Sequence, residues 1–215
     1  KKVADLKDYL NTASAECESI SAALCCGRRD HEYRAAFTSV DKAELIGDIE
    51  KFSPSDIKRY DPKLKTAFLF PGQGAQYVGM AQELYRNNSE YRSTADEGFE
   101  IYRGISGTDL RSVLYPGDES KDKMSEMLMN TELTQTALFI TEYSLAKCLE
   151  SKGIKADVTA GHSIGEYVSA CLAGVFTYAE GVRIVAARGR CMENSPEGEM
   201  LSVENLKEYG ANVEE

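Results

Sequence analysis

The segment Gly161-His162-Ser163-Ile164-Gly165 constrains this chain more than any other. It fits the pattern G-x-S-x-G, and its flanks are those the pattern needs. Ala156 to Ala160 reads as a short strand, and Ile164 to Ala173, closed by Gly174, reads as a helix. A strand that bends sharply into a helix brings backbone segments too close for a Cβ, which accounts for the two glycines. The bend lifts a serine hydroxyl above the sheet at a helix N-terminus, where unpaired N–H groups can stabilise an oxyanion. Ser163 is therefore the candidate nucleophile, and the amide of Ile164 a candidate oxyanion donor.

A second donor has a natural source. Thr66 to Phe70 reads as a buried strand stopped by Pro71-Gly72, and the loop Gly72-Gln73-Gly74-Ala75-Gln76 offers amides with no ladder to join. A phosphate-cradling loop is the competing reading, disfavoured by the missing G-K-[ST] ending and the missing third glycine of a dinucleotide fingerprint. A simple strand-to-helix turn remains the alternative on pattern alone.

Arg188 is the most informative charge. Thr177 and Glu180 form a T-x-x-E capping box for a helix running to about Asn194. On that helix Arg188 shares a face with Ile184, Val185, Cys191 and Met192, while Arg183 and Arg190 fall on the opposite side. A buried guanidinium costs on the order of several kcal/mol unless an anion pairs with it. It is either a structural residue, ion-paired or with its stem snorkelling to solvent, or the clasp for a substrate carboxylate.

Elsewhere the chain reads as a small α+β domain over residues 1–63 followed by an α/β domain over 64–215, with a mostly parallel sheet and flanking helices. In the first, Val3 to Leu10, Ala13 to Leu24 and Asp41 to Phe52 read as helices and Tyr33 to Val40 as a strand. In the second, Val78 to Tyr85 has helical spacing, Asn87 to Asn130 reads as short helices separated by loops, and Thr134 to Leu149 as a strong helix. A formal charge of −10 argues against nucleic acid or an anionic membrane surface as partner, and no run approaches the roughly eighteen apolar residues of a membrane span. The six cysteines include no C-x-x-C pair and only two histidines accompany them, so no metal site is expected; reduced thiols in a cytoplasmic protein, several in helix cores, are. The start at Lys1-Lys2-Val3 carries neither an initiator Met nor a signal peptide, so the chain is expected to be cut from something longer.

Together, Phe70-Pro71-Gly72-Gln73-Gly74-Ala75-Gln76, Gly161-His162-Ser163-Ile164-Gly165-Glu166-Tyr167, Ala187-Arg188-Gly189 and Thr134-Gln135-Thr136-Ala137-Leu138-Phe139 resemble the malonyl-CoA:acyl-carrier-protein acyltransferase family. The last segment has Thr136 where the family has Pro, and order and spacing agree over Thr66 to Met200. Gly27-Arg28-Arg29-Asp30-His31-Glu32-Tyr33-Arg34-Ala35-Ala36 resembles the linker that joins ketosynthase to acyltransferase in modular polyketide synthases. The resemblance implies that Ser163 takes an acyl group from malonyl-CoA as an ester and passes it to the phosphopantetheine thiol of an acyl carrier protein. It implies that the amides of Gln73 and Ile164 receive the oxyanion, and that Arg188 binds the malonyl carboxylate. Gln135 and His162 complete the substrate site, while the turn itself makes His162 part of the elbow. No bound cofactor is implied, and the ketosynthase domain of the same polypeptide is an implied partner. Ile164 after the nucleophile, with Thr134-Gln135, is similar to malonyl-selective members rather than methylmalonyl-selective ones.

The family's general base is a histidine well downstream of the serine, and here only His31 and His162 occur. The chain ends at Glu215, shortly after Glu199-Met200-Leu201-Ser202-Val203, where the family begins a ferredoxin-like small subdomain. Losing such a base lowers turnover in a serine protease by roughly a millionfold. The expectation is an active parent and an inactive 215-residue piece. Two other readings stand beside it: a non-catalytic docking module for a separate acyltransferase, and a serine esterase of the α/β-hydrolase class.

Overall fold

The computed structural model describes residues 2–117 and 120–196. The stretch from Glu199 to Val203, where the sequence reading places the start of a small subdomain that is largely missing from this chain, lies outside the described residues. The chain divides into two compact units, Lys1–Leu64 and Lys65–Glu215.

In the first unit, α1 (Lys2–Thr12), α2 (Cys17–Cys25) and α3 (Lys42–Lys51) close on a small core of Leu10, Ile20 and Ile49. Asp41 caps α3 by accepting from the Glu44 amide at 2.8 Å, and Glu44 in turn accepts from the Val40 amide at 2.6 Å. The strand expected over Tyr33 to Val40 is shorter. β1 (Tyr33–Arg34) pairs antiparallel with β2 (Lys58–Arg59), and the pairing stops there. Beyond Arg34 the chain leaves the ladder because Phe37 packs against the helical core and against the Phe52 ring, 5.5 Å between centroids, while Val40 stays 92% exposed.

In the second unit, β3 (Ala67–Phe70) runs parallel to β4 (Val158–Gly161), with Phe70 level with Gly161. The connection carries α4 (Gln82–Asn87), α5 (Ser89–Ser106), α6 (Leu110–Leu114), α7 (Lys121–Met127) and α8 (Thr131–Ser151). α9 (Ile164–Leu172) and α10 (Tyr178–Glu193) follow β4. The α/β class and the parallel pairing are as the sequence predicts. α8 is buried on nearly every side from Thr134 to Thr141, as a helix at the centre of a core must be, and α5 and α10 pack along it. No helix among the described residues is long and apolar enough to cross a membrane.

Three details depart from the sequence reading. α5 is a single helix of 18 residues where short pieces were expected. Asn88 caps it through the Tyr91 amide at 2.9 Å, and Tyr91, Ala95, Gly98, Phe99 and Tyr102 bury one stripe; packing outweighs the weak helix propensity of its glycines. The helix expected from Val78 begins only at Gln82, because Gly79 and Ala81 have φ of 87° and 57°, outside the helical region. Finally, β3 is buried on one face only: Phe70 is covered, but Leu69 is 75% exposed, no described residue lying over its side of the sheet. Among the cysteines, Cys148 and Cys171 are buried in helices, whereas Cys25, Cys26 and Cys191 are exposed.

Candidate active site

Ser163 sits between β4 and α9 with φ 53° and ψ −111°, a conformation that a residue with a Cβ adopts only under strain. The two glycines of the elbow are obligatory. A Cβ on Gly161 would lie 2.0 Å from the Gly165 carbonyl carbon, and one on Gly165 would lie 2.3 Å from the Phe70 carbonyl oxygen. Phe70 anchors the turn as well, since its carbonyl accepts from the His162 amide at 2.9 Å.

Both expected oxyanion donors are unengaged. Ile164 opens α9, so its amide has no intrahelical acceptor, and among the described residues neither it nor the Gln73 amide donates a hydrogen bond. The neighbouring amides of the Gln73 loop are satisfied, Gly74 by the Gln76 side chain at 2.7 Å and Ala75 by the Gly72 carbonyl at 3.4 Å. The Ile164 side chain itself is buried in the core.

Arg188 reaches Ser163 from α10. One guanidinium nitrogen donates to Ser163 Oγ at 3.3 Å and the other to Gln135 Oε1 at 2.6 Å. Gln135, 1% exposed on α8, directs its amide nitrogen at Met192 Sδ, 3.2 Å away, and at the Gln73 side chain, 3.5 Å away. Among the described residues no carboxylate pairs with Arg188; Glu132 pairs with Arg190 instead, at 3.0 Å. The surroundings of Arg188 differ from the sequence reading. The buried stripe of α10 is Tyr178, Val182, Val185, Ala186 and Gly189, while Ile184, Cys191 and Met192 are exposed. Arg188 therefore stands half-buried at the edge of that stripe and opens toward Ser163, because its two hydrogen bonds draw it across to α8 and the elbow.

His162 does not join this network. Its ring lies against Gly72, where an added Cβ would come within 2.5 Å of Nδ1, and it makes no hydrogen bond to Ser163. His31 is exposed in the first unit. One contact escaped the sequence reading: the Tyr167 ring lies under the Arg188 guanidinium, with Cζ 5.4 Å from its centroid. Its position four residues after Ser163, hence on the same helix face, was the available signal.

Fold and site put this chain in the class of α/β proteins organised around a serine elbow. A family model described as acyl transferase domain matches residues 67–215, and the chain belongs to that family. It is 32% identical over 203 residues to the polyketide synthase GfsA of Streptomyces halstedii, a match that takes in 88% of this chain and 3% of that synthase. Among solved structures it resembles the acyl transferase domain of ZmaA, with a TM-score of 0.81 and 34% identity over 91% of this chain and 46% of that one. It also resembles the malonyl CoA-acyl carrier protein transacylase of Clostridium perfringens, with a TM-score of 0.54 and 29% identity over 68% and 45% of the two chains. The chain thus spans less than half of each of these two solved structures and a small fraction of the synthase.

Proposed function

We propose that the chain is part of an acyltransferase that loads a malonyl-type unit from its CoA thioester onto Ser163 and hands it to the phosphopantetheine thiol of an acyl carrier protein in polyketide synthesis. The observation that carries this reading is a guanidinium within hydrogen-bond reach of the nucleophile and paired with no carboxylate among the described residues. A positive charge kept free beside a serine fits a substrate that bears a carboxylate at its far end. The relatives support it: a polyketide synthase and a malonyl CoA-acyl carrier protein transacylase.

In the first half-reaction Ser163 Oγ attacks the thioester carbonyl, the Gln73 and Ile164 amides hold the developing oxyanion, and CoA leaves as its thiolate. In the second, the carrier's thiol attacks the serine ester and the hydroxyl is restored. Arg188 clasps the free carboxylate throughout, Gln135 orients Arg188, and His162 forms the wall of the site behind Gly72. Neither histidine hydrogen-bonds Ser163, so another group must take the hydroxyl proton in this reaction. The first unit joins this domain to a ketosynthase of the same polypeptide, and a CoA-linked donor sets the reaction in the cytoplasm.

The test is mass spectrometry after prolonged exposure to malonyl-CoA. Wild type is expected to gain one malonyl group, Ser163→Ala none, and Arg188→Ala a much smaller fraction. Undiminished malonyl loading of Arg188→Ala would remove the carboxylate clasp from the proposal, and loading of Ser163→Ala would remove the nucleophile.

A further inference from the structure

We infer that Tyr167 is a positioning residue: its ring holds the Arg188 guanidinium beside Ser163 while leaving the charge un-neutralised, and so sets the preference for carboxylated acyl groups. This deepens the proposed reading of Arg188 as a carboxylate clasp and rests on it.

A long cation at the edge of a core has many rotamers, and fixing one of them requires contacts. Arg188 has three sets: the Gln135 amide oxygen, the Ser163 hydroxyl and the Tyr167 ring. All three partners are neutral. Tyr167 stands one helical turn after Ser163, so nucleophile and ring share a face of α9, and α10 delivers the guanidinium between them. The ring is half-buried and packs against the main hydrophobic core, which fixes its own orientation.

An aromatic face attracts a cation through its quadrupole and occupies none of the N–H groups. A carboxylate binds those N–H groups, two at a time, in the guanidinium plane. Ring and substrate therefore do not compete. A Glu or Asp in place of Tyr167 would also fix the guanidinium, but would occupy the N–H groups the substrate needs. The arrangement accounts for a tyrosine at this position and for the lack of a carboxylate partner among the described residues.

The experiment compares dissociation constants of acetyl-CoA and malonyl-CoA, measured calorimetrically on the full chain carrying Ser163→Ala so that no acyl transfer intervenes. With Tyr167→Phe the ratio stays within about twofold of its starting value, since the π-face is retained. With Tyr167→Leu malonyl-CoA binds about five- to tenfold more weakly and acetyl-CoA is unchanged. A purely structural loss would weaken both ligands alike and would overturn the inference, as would an unchanged ratio in Tyr167→Leu. Arg188→Ala separates the two claims. If it abolishes the malonyl preference while Tyr167→Leu does not, the clasp stands and the role of Tyr167 falls; if it leaves the preference intact, the clasp itself falls. Should Tyr167→Leu not fold, arginine-labelled NMR on the chain with Tyr167 intact decides. The Arg188 Nε–H resonance, assigned through Arg188→Lys, is expected to be ring-current shifted, and a random-coil position would overturn the inference.

Discussion

Arg188 rests its guanidinium on the amide oxygen of Gln135 at 2.6 Å, although Glu132 stands one turn earlier on the same helix. Glu132 is taken by Arg190. The helix thus presents an amide to the inner arginine and a carboxylate to the outer one.

If Arg188 is the carboxylate clasp of the proposed function, reversing that choice should silence it. Gln135→Glu would put a carboxylate in contact with the guanidinium and convert a neutral hydrogen bond into an ion pair. Malonyl-CoA binding is expected to weaken at least about tenfold, the range of a lost charge-assisted hydrogen bond. Gln135→Met, which leaves the cation unpaired, should weaken it less. Titration calorimetry on both variants checks the order.

The strain at Ser163 should be measurable as stability. Its φ of 53° and ψ of −111° suit glycine, which has no Cβ to clash. Ser163→Gly is expected to be more stable than Ser163→Ala by about 1–2 kcal/mol. Urea unfolding of the pair would show it, and equal midpoints would mean that the turn carries no such strain.

Glu142 should make the second unit more stable in acid than in mild alkali. It is 8% exposed, neither carboxylate oxygen has a partner among the described residues, and burial pushes its pKa from 4.5 up to about 8. A pKa raised in the folded state means that the native protein holds a proton the unfolded chain releases. The contribution is therefore fully present below pH 4.5 and disappears as pH rises through about 8. Glu142→Gln removes this dependence. It is expected to match wild type near pH 4 and to exceed it by about 3–5 kcal/mol above pH 8. Denaturant titrations of both proteins across this range test the divergence.

Two glycines of α5 should respond to alanine with opposite sign. A Cβ on Gly98 would lie 2.2 Å from the Tyr178 hydroxyl and 2.9 Å from Ile140, so Gly98→Ala is expected to destabilise by about 1–3 kcal/mol. Gly104 is exposed with nothing within 4 Å of such a Cβ, and Gly104→Ala should stabilise by about 0.5–1 kcal/mol. Thermal melts of the two variants give the comparison directly.

The elbow, the Gln73 loop and the helix of Arg188 were legible because their signals are local. Glycines at Gly161 and Gly165 report a backbone crossing, and Thr177 with Glu180 marks a helix start, realised in a reciprocal pair with the Thr177 amide donating at 2.7 Å. The length of α5 was hidden, because its glycines lower propensity while the Tyr178 hydroxyl and Ile140 that need the space come from distant helices. The Tyr33 strand was overextended because pairing length depends on the partner, and β2 is only two residues long. The contact of Tyr167 with Arg188 depends on how α9 meets α10, which no single segment encodes.

One peptide group ties the serine elbow and the Gln73 loop into a single mechanical piece. The Phe70 carbonyl receives the His162 amide and abuts Gly165, while the same residue leads through Pro71 and Gly72 into Gln73. Ser163 and the Gln73 and Ile164 amides therefore share an origin, and a displacement of the strand end carries them along together. What remains adjustable is the arginine, which arrives on a separate helix: under the proposed function, substrate choice can drift under mutation of α10 while the serine and the two amides keep their spacing.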